Sequence, residues 1–219
     1  MTTKAVIFDM DGVLIDSEIC YLKFDLAFAR TKNPDVTIDQ LYGMVGASKQ
    51  DAWMVMERAV HNGQTWEELR DDYRASVDVF SQVDYRAIFR SEAVEILDLL
   101  KRRGYALALA SSTQMELILR VLAENNITSY FDVIVSGSQF KQSKPNPEIY
   151  FYTAKRLGVE PTECLVIEDS TLGITAASRA GMTIAALIDD RFGFDRSLAD
   201  YEIQHLGEIA GLLGISENS

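Results

Sequence analysis

The sequence predicts an α/β protein in which a doubly wound, mostly parallel sheet carries an inserted helical domain. Short runs that are apolar at every position predict strands buried on both faces. Helical patterns lie between these runs from residue 91 to residue 188, so strand and helix alternate along the chain. A third observation, a stretch without a convincing strand over residues 17–82, predicts the insertion.

Five apolar runs are candidate strands. In chain order they cover residues 5–8, 106–110, 133–135, 165–167 and 183–188. Because right-handed crossovers join strands that alternate with helices, we expect these runs to form one parallel sheet of the Rossmann-like type.

The connecting helices are predicted from apolar residues that recur three or four positions apart. Residues 91–103 place Val94, Leu97 and Leu100 on one face and stop at Gly104, a frequent helix end. Similar patterns cover residues 115–125, 147–157 and 172–180. Four helices are therefore expected to pack on the sheet.

The helical insertion contains three amphipathic stretches, at residues 18–31, 48–61 and 65–79. Turn-forming residues separate these stretches. A helical block that follows the first strand and precedes the rest of the sheet predicts a small second domain. We therefore expect a core domain of residues 1–16 and 83–219 and a helical domain of residues 17–82.

Composition limits the partners and the location. The net charge of -12 disfavours nucleic acid, whose phosphates are bound by clustered Lys and Arg. No stretch approaches the roughly 20 apolar residues of a membrane helix, and the run at residues 5–8 is too short for a signal peptide. We therefore expect a cytoplasmic protein without a membrane partner, either monomeric or weakly dimeric.

Cys20 and Cys164 lack disulfide or zinc spacing, so burial as small apolar side chains is expected.

Chemically active side chains follow the predicted strands at their carboxyl ends, where doubly wound sheets bind ligands. In chain order these residues are Asp9, Asp11, Ser111, Ser112, Thr113, Lys144, Glu168 and Asp169. Although they are far apart in the sequence, they should converge on one edge of the sheet. This convergence is the strongest functional inference from the pattern alone.

The carboxylates among these side chains are suited to binding a metal ion and to transferring a phosphoryl group. Crowded carboxylates repel one another unless a hard cation lies among them, and Mg²⁺ is the usual cation at an oxygen-only site. A local cation would also attract a phosphate ester to an otherwise acidic protein. One carboxylate can act as a nucleophile, and a second can move the proton. The pattern therefore indicates phosphoryl transfer on a small phosphorylated substrate.

Residues 6–18, with the sequence VIFDMDGVLIDSE, resemble the opening motif of the haloacid dehalogenase-like hydrolase superfamily. They are most similar to the helical-cap subgroup, which includes β-phosphoglucomutase and many sugar-phosphate phosphatases. Ser111, Lys144 before Pro145, and residues 168–177 match the later motifs in order. The resemblance covers essentially the whole chain, and the helical domain would be the cap.

The resemblance implies a role for each acid. Asp9 would be the nucleophile that forms an aspartyl-phosphate, and Asp11 the general acid and base. Mg²⁺ would be held by Asp9, the backbone carbonyl of Asp11, and Asp169, with Glu168 assisting directly or through water. Dehalogenases of this superfamily lack the second aspartate, so Asp11 favours phosphoryl chemistry. Taken singly, Asp9, Asp11 and Asp169 could merely form turns or cap helices.

The phosphoryl group would be bound by Ser111 and Lys144, with the backbone N–H of Ser112 contributing. Which serine supplies the hydroxyl depends on the register, and Ser111 aligns better. Without the resemblance, a solvated lysine before a proline would be the favoured interpretation of Lys144. His61 and His205 lie outside all motifs and are expected to be ordinary surface or partly buried histidines.

Candidate residues for substrate specificity lie near the start of the cap. Asp16, Ser17 and Glu18 either begin a helix or contact substrate. Lys49 either binds a second phosphate or is solvated.

Within the cap, the mutases of the family carry a His on the first helix, and the aligned position here is Tyr21. A phosphatase acting on a sugar phosphate is therefore expected. A β-phosphoglucomutase-like mutase is the alternative. A phosphate-binding or interaction domain without catalytic activity is the third class.

Overall fold

The structure is a computed structural model, and it describes residues 2–76 and 82–215. Its contacts divide the chain into two compact units. The larger unit is Met1–Asp16 with Tyr85–Ser219, and the smaller unit is Ser17–Asp84. The role of the smaller unit as a cap stays a prediction.

Six parallel strands form one sheet within the described part of the larger unit. They are β1 (Ala5–Phe8), β2 (Ala106–Ser111), β3 (Val133–Ser136), β4 (Cys164–Glu168), β5 (Thr183–Leu187) and β6 (Tyr201–Ile203). Their order is β3-β2-β1-β4-β5-β6, and every neighbouring pair is parallel. The predicted doubly wound parallel sheet is confirmed.

Strand β6 was not expected from the sequence. It has three residues, of which Tyr201 and Glu202 are exposed and only Ile203 is buried. Such an edge strand has no continuous apolar run, so the pattern that predicts buried strands does not detect it. The five predicted strands are all present, with ends shifted by a residue at most.

The strand order places the carboxyl ends of β1 and β4 side by side at the centre of the sheet. Phe8 pairs in register with Leu109 on one side and with Ile167 on the other. The chain winds outward from β1 in both directions, so the order reverses between β1 and β4. Doubly wound sheets bind ligands at this reversal point.

Helices connect the strands and also make up most of the smaller unit. In the described residues they are α1 (Glu18–Lys32), α2 (Lys49–Val60), α3 (Trp66–Ser76), α4 (Glu92–Arg102), α5 (Met115–Glu124), α6 (Glu148–Leu157), α7 (Thr171–Arg179) and α8 (Ile209–Leu212). The predicted helices match α1–α7 within one residue at most ends. The predicted residues 77–79 of the third cap helix lie outside the described residues.

Both faces of the sheet are buried, which explains the uniformly apolar strands. Along one face, Ile7 and Val166 pack with Ile174 of α7 and Tyr150 of α6 in one hydrophobic cluster. Cys164 joins this cluster, as expected, whereas Cys20 is only half-buried, and both cysteines are free. The prediction that Cys20 is buried is therefore only partly met. Cys20 lies in the first part of α1, where the neighbouring side chains are also half-buried.

The smaller unit packs its helices around aromatic side chains. Tyr73 of α3 lies edge-on to Phe28, at 5.1 Å between ring centroids, and to Trp53, at 5.3 Å. The Trp53 ring thus serves packing within this unit. A 3-10 helix at Ile38–Met44 joins α1 and α2. Of the helices described in either unit, none is long and apolar enough to cross a membrane.

Candidate active site

The loop after β1 places the first two acids at the centre of the sheet edge. The Asp9 N–H donates to the carbonyl of Ile167 at 3.0 Å, so the β1–β4 ladder continues through Asp9. The loop then turns at Gly12, whose φ is +78°, and the Gly12 N–H donates to Ile15 O at 2.8 Å. A β-carbon at Gly12 would collide with the carboxylate of Asp169. Because Gly12 has no side chain, the Asp169 carboxylate can lie against the loop that follows β1.

Lys144 lies in the middle of the acids. Its Nζ donates to Asp9 Oδ1 at 2.7 Å, to Glu168 Oε1 at 2.6 Å, and to the carbonyl of Ala110 at 3.0 Å. The side chain is 5% exposed. An ammonium group has three protons, so these acceptors use its whole donor capacity. Lys144 is therefore buried and paired, and the alternative of a solvated lysine is wrong.

Glu168 is held by hydrogen bonds to both of its oxygens. Oε1 accepts from Lys144 and from the Tyr150 hydroxyl, the latter at 3.0 Å. Oε2 accepts from Asp169 N at 3.0 Å, and from Ser170 N and Oγ at 3.2 and 3.1 Å. A β-carbon at Gly173 would collide with this carboxylate, so the first turn of α7 packs directly on it. Hydrogen bonds of this number stabilise a fully buried charge.

Burial and charge set the ionisation of the cluster. Burial, opposed by the nearby Lys144 ammonium and reinforced by Glu168 and Asp11, raises the pKa of Asp9 to about 8. Although burial acts to lower the pKa of Lys144, Asp9 and Glu168 hold it well above its ordinary value. Lys144 thus stays an ammonium, and its single positive charge is outnumbered by the surrounding carboxyl groups. A further cation would favour the ionised form of Asp9.

Three buried carboxyl groups could hold such a cation. Asp9, Glu168 and Asp169 each offer one oxygen, and these oxygens lie within 4.8 Å of one another. An oxygen-only donor set suits a hard divalent cation. Five donors already occupy the oxygens of Glu168, so a cation bound to this side chain would compete with them.

The loop after β2 supplies hydroxyl groups to the same edge. Ser111 Oγ is buried and accepts from Thr113 N at 3.1 Å. Ser112 Oγ lies 3.2 Å from Ser143 Oγ. The Thr113 hydroxyl donates to Asp11 Oδ2 at 2.7 Å, which fixes one orientation of the Asp11 carboxylate. This contact of Thr113 was not predicted, because the sequence shows only that the residue follows a strand.

Asp16 forms an ion pair with Arg191 that the sequence did not predict. Its carboxylate accepts two hydrogen bonds from Arg191, at 2.7 Å from Nη2 and 3.1 Å from Nη1. Arg191 also pairs with Asp189 at 2.6 Å. This ion pair joins Asp16 to a residue 175 positions away. A contact of Asp16 with substrate stays a prediction.

The remaining predicted residues lie in the smaller unit. Glu18 and Tyr21 belong to the first turns of α1, and Lys49 is the first residue of α2. Their contribution to substrate binding stays a prediction. His61 and His205 are exposed, as expected of ordinary surface histidines.

The structure thus brings eight of the predicted residues to one edge of the sheet in the larger unit. They are Asp9, Asp11, Ser111, Ser112, Thr113, Lys144, Glu168 and Asp169. Tyr150 joins them without having been predicted. The available signal was its position on α6, six residues after Lys144, on the face that packs against the sheet. Buried acids around one lysine, at the carboxyl edge of a doubly wound sheet, are suited to phosphoryl transfer.

Comparison with known proteins identifies the family. The family model of haloacid dehalogenase-like hydrolases matches residues 6–187. The chain is 34% identical over 181 residues to the phosphorylated carbohydrates phosphatase of Thermotoga maritima, which covers 82% of each protein. It is 30% identical over 222 residues to hexitol phosphatase B of Escherichia coli, which covers 96% of each. The chain belongs to the haloacid dehalogenase-like hydrolases, and it is a phosphoric monoester hydrolase of that family.

A solved structure shows the same fold. The β-phosphoglucomutase of Clostridium difficile superposes with a TM-score of 0.70 at 22% identity, over 97% of this chain and 98% of that protein. At this identity the similarity describes the architecture only.

Proposed function

We propose that the protein is a Mg²⁺-dependent phosphatase that hydrolyses a small phosphorylated metabolite, a sugar phosphate, through an aspartyl-phosphate. One observation carries the proposal: the buried Asp9 carboxylate is held at 2.7 Å by Lys144, in one cluster with Glu168 and Asp169. The names of two relatives, a phosphorylated carbohydrates phosphatase and a hexitol phosphatase, support the sugar phosphate.

The first step is the attack of Asp9 on phosphorus. Lys144 holds Oδ1, so the other carboxylate oxygen is the proposed nucleophile. A bond forms between this oxygen and phosphorus while the ester P–O bond breaks. The resulting aspartyl-phosphate keeps the phosphoryl group on the protein.

Asp11 moves the proton in both steps. In the first step its carboxyl group protonates the departing alcohol oxygen. In the second step the Asp11 carboxylate accepts a proton from water, whose oxygen attacks phosphorus and releases Asp9 and inorganic phosphate. The hydrogen bond from Thr113 to Asp11 Oδ2 orients the Asp11 carboxyl group for this exchange.

The loop after β2 and Lys144 would hold the phosphoryl oxygens. Ser111 supplies a hydroxyl, and Ser112 supplies its backbone N–H. Since all three protons of Lys144 are used, a contact to phosphate requires that one acceptor be given up. The Ala110 carbonyl is the neutral acceptor among the three, and it is the one whose loss costs least.

The carboxylates fit Mg²⁺, which would be held by Asp9, Asp169 and the carbonyl of Asp11, with Glu168 directly or through water. When bound, Mg²⁺ supplies positive charge to the phosphoryl oxygens of an otherwise acidic site. Choice of substrate belongs to the cap, where Glu18, Tyr21 and Lys49 are the proposed contacts.

The test is a panel of phosphorylated sugars, hexitol phosphates, nucleotides and organic acid phosphates, assayed for phosphate release with Mg²⁺. We expect turnover of sugar or hexitol phosphates without a bisphosphate primer. Asp9→Asn should abolish turnover while the circular dichroism spectrum is unchanged. Phosphate release that survives Asp9→Asn, or that a chelator leaves intact, would refute the mechanism.

A further inference from the structure

We propose that Tyr150 is a positioning residue of the active site, whose hydroxyl fixes Glu168 so that Glu168 and Lys144 together hold Asp9. Its contacts are with Glu168 and Lys144, so Tyr150 acts through these two residues. The inference deepens the proposed function and rests on it for its effect on turnover.

Two contacts tie Tyr150 to the central ion pair. Its hydroxyl donates to Glu168 Oε1 at 3.0 Å, the same oxygen that accepts from Lys144 at 2.6 Å. The Lys144 Nζ also lies 5.1 Å from the centroid of the Tyr150 ring. One side chain therefore contacts both the acid and the ammonium of the pair.

The place of Tyr150 in the fold makes these contacts rigid. The side chain is fully buried, with an exposed fraction of 0%, and it packs on the sheet with Ile7 and Val166. Its phenolic hydroxyl is the donor of the hydrogen bond to Glu168. A buried hydroxyl on a packed helix can hold its acceptor in one place more firmly than a solvated one.

The hydroxyl completes the hydrogen bonds on one side of Glu168. Backbone and side-chain donors of Asp169 and Ser170 hold Oε2, whereas Oε1 has the two donors Lys144 and Tyr150. Without the Tyr150 hydroxyl, the position of Oε1 would depend on Lys144 alone. Lys144 would then be less restrained, and so would its 2.7 Å contact with Asp9.

The experiment compares Tyr150→Phe with a matched control, Tyr152→Phe. Both changes remove one hydroxyl from α6 and keep the ring. Tyr152 lies outside the acid cluster, and its hydroxyl accepts from Arg156 at 3.2 Å. Two quantities are measured for each variant: kcat and KM for p-nitrophenyl phosphate with Mg²⁺, and the acetylation rate of individual lysines by an N-hydroxysuccinimide ester, read by mass spectrometry.

For Tyr150→Phe we expect kcat to fall about tenfold, the size of a lost hydrogen bond to a charged group, with KM changed less than about twofold. Acetylation of Lys144 should rise at least about threefold, because its three acceptors restrain it less. Lys4 and Lys101, whose side chains are 60% and 33% exposed, are internal controls and should not change. Tyr152→Phe should match the wild type in every measurement.

Three results would overturn the inference: an unchanged Lys144 acetylation rate, a rise at all lysines alike, or equal effects of the two Tyr→Phe changes. The labelling does not depend on turnover. A selective rise at Lys144 in a protein without phosphatase activity would therefore support the positioning role and refute the proposed function instead.

Discussion

Gly12 allows the loop after β1 and the Asp169 carboxylate after β4 to lie in contact. Its φ of +78° is a left-handed conformation, and a β-carbon there would collide with Asp169. Two requirements, a turn and a close approach, thus coincide at one glycine. No residue that carries a β-carbon meets both of them, since the space is already filled by a carboxylate.

Gly12→Ala should therefore destabilise the protein and impair the site. We expect the free energy of unfolding to fall by about 2–4 kcal/mol, of which roughly 1–2 is left-handed strain and the rest displacement of Asp169. Phosphatase activity should fall more than about 100-fold. Urea unfolding and steady-state kinetics measure the two effects.

Gly104→Ala is the matched control for that change. Gly104 has a φ of +84°, and no heavy atom lies within 4 Å of the position that a β-carbon would take there. It should show the strain alone, with unaltered activity. Equal losses of stability and activity in both variants would contradict the role assigned to the Gly12–Asp169 contact.

At the scale of one element, helix α7 is joined to the acid cluster through its first residues. Ser170 precedes the helix, and its Oγ accepts from Gly173 N at 3.1 Å while donating to Glu168 Oε2. The same hydroxyl thus caps the helix and holds a buried carboxylate. This arrangement explains why the helix can begin directly at a site of negative charge.

Ser170→Ala should lower the free energy of unfolding by about 1–2 kcal/mol, the usual cost of a lost N-cap. It should also lower kcat several-fold, because Glu168 loses a donor. Ser48→Ala is the control, since Ser48 caps α2 and accepts from Asp51 N at 3.2 Å. That variant should lose a similar stability, and a similar loss of kcat would argue against the link through Glu168.

A half-buried acid in α1, Asp25, predicts a pH dependence of stability. Burial, partly offset by a hydrogen bond from Tyr73, raises the pKa of Asp25 to about 6 from the ordinary 3.8. Between these values the folded chain holds a proton that the unfolded chain has lost. The contribution of Asp25 to stability is therefore full below about pH 4 and is lost as the pH rises through about 6.

Asp25→Asn should remove this loss, which amounts to up to about 3 kcal/mol at roughly 1.4 kcal/mol per pKa unit. The measurement is urea unfolding of the wild type and the variant at intervals between about pH 4 and pH 7. Tyr73→Phe, which removes a hydrogen bond that favours the carboxylate, should make the fall of stability larger and extend it to higher pH. A difference between wild type and Asp25→Asn that is independent of pH would contradict the assignment.

At the scale of the whole molecule, the net charge of -12 and the buried acids point to cation binding that stabilises the fold. A cation that binds only the folded chain stabilises it by RT ln(1 + [L]/Kd). We expect Mg²⁺ at about 100 times its Kd to stabilise the protein by roughly 2.7 kcal/mol, and a chelator to reverse the effect.

Thermal unfolding at several Mg²⁺ concentrations measures this dependence, with Asp169→Asn as the comparison. In the variant the Tm should respond little to Mg²⁺. An equal response of wild type and variant would assign the effect to surface acids rather than to the cluster. Choline chloride at matched ionic strength controls for screening.

Much of the core was predictable for a definite reason. Residues 5–8 and 165–167 are apolar throughout, which occurs in strands covered on both faces. The carboxyl ends of parallel strands meet at one edge, so Asp9 and Asp169 could be placed together without any distance being known. The edge strand β6 was missed because two of its three residues are exposed.

The sequence by itself determined the strand and helix order, the family motifs and the set of acids at the sheet edge. These features depend on local pattern and on the geometry common to parallel sheets. Only the tertiary structure decided the partners: Lys144 with Asp9 and Glu168, Tyr150 with Glu168, Thr113 with Asp11, and Asp16 with Arg191. These pairs join residues up to 175 positions apart, and packing of separate elements, not spacing along the chain, sets their distances.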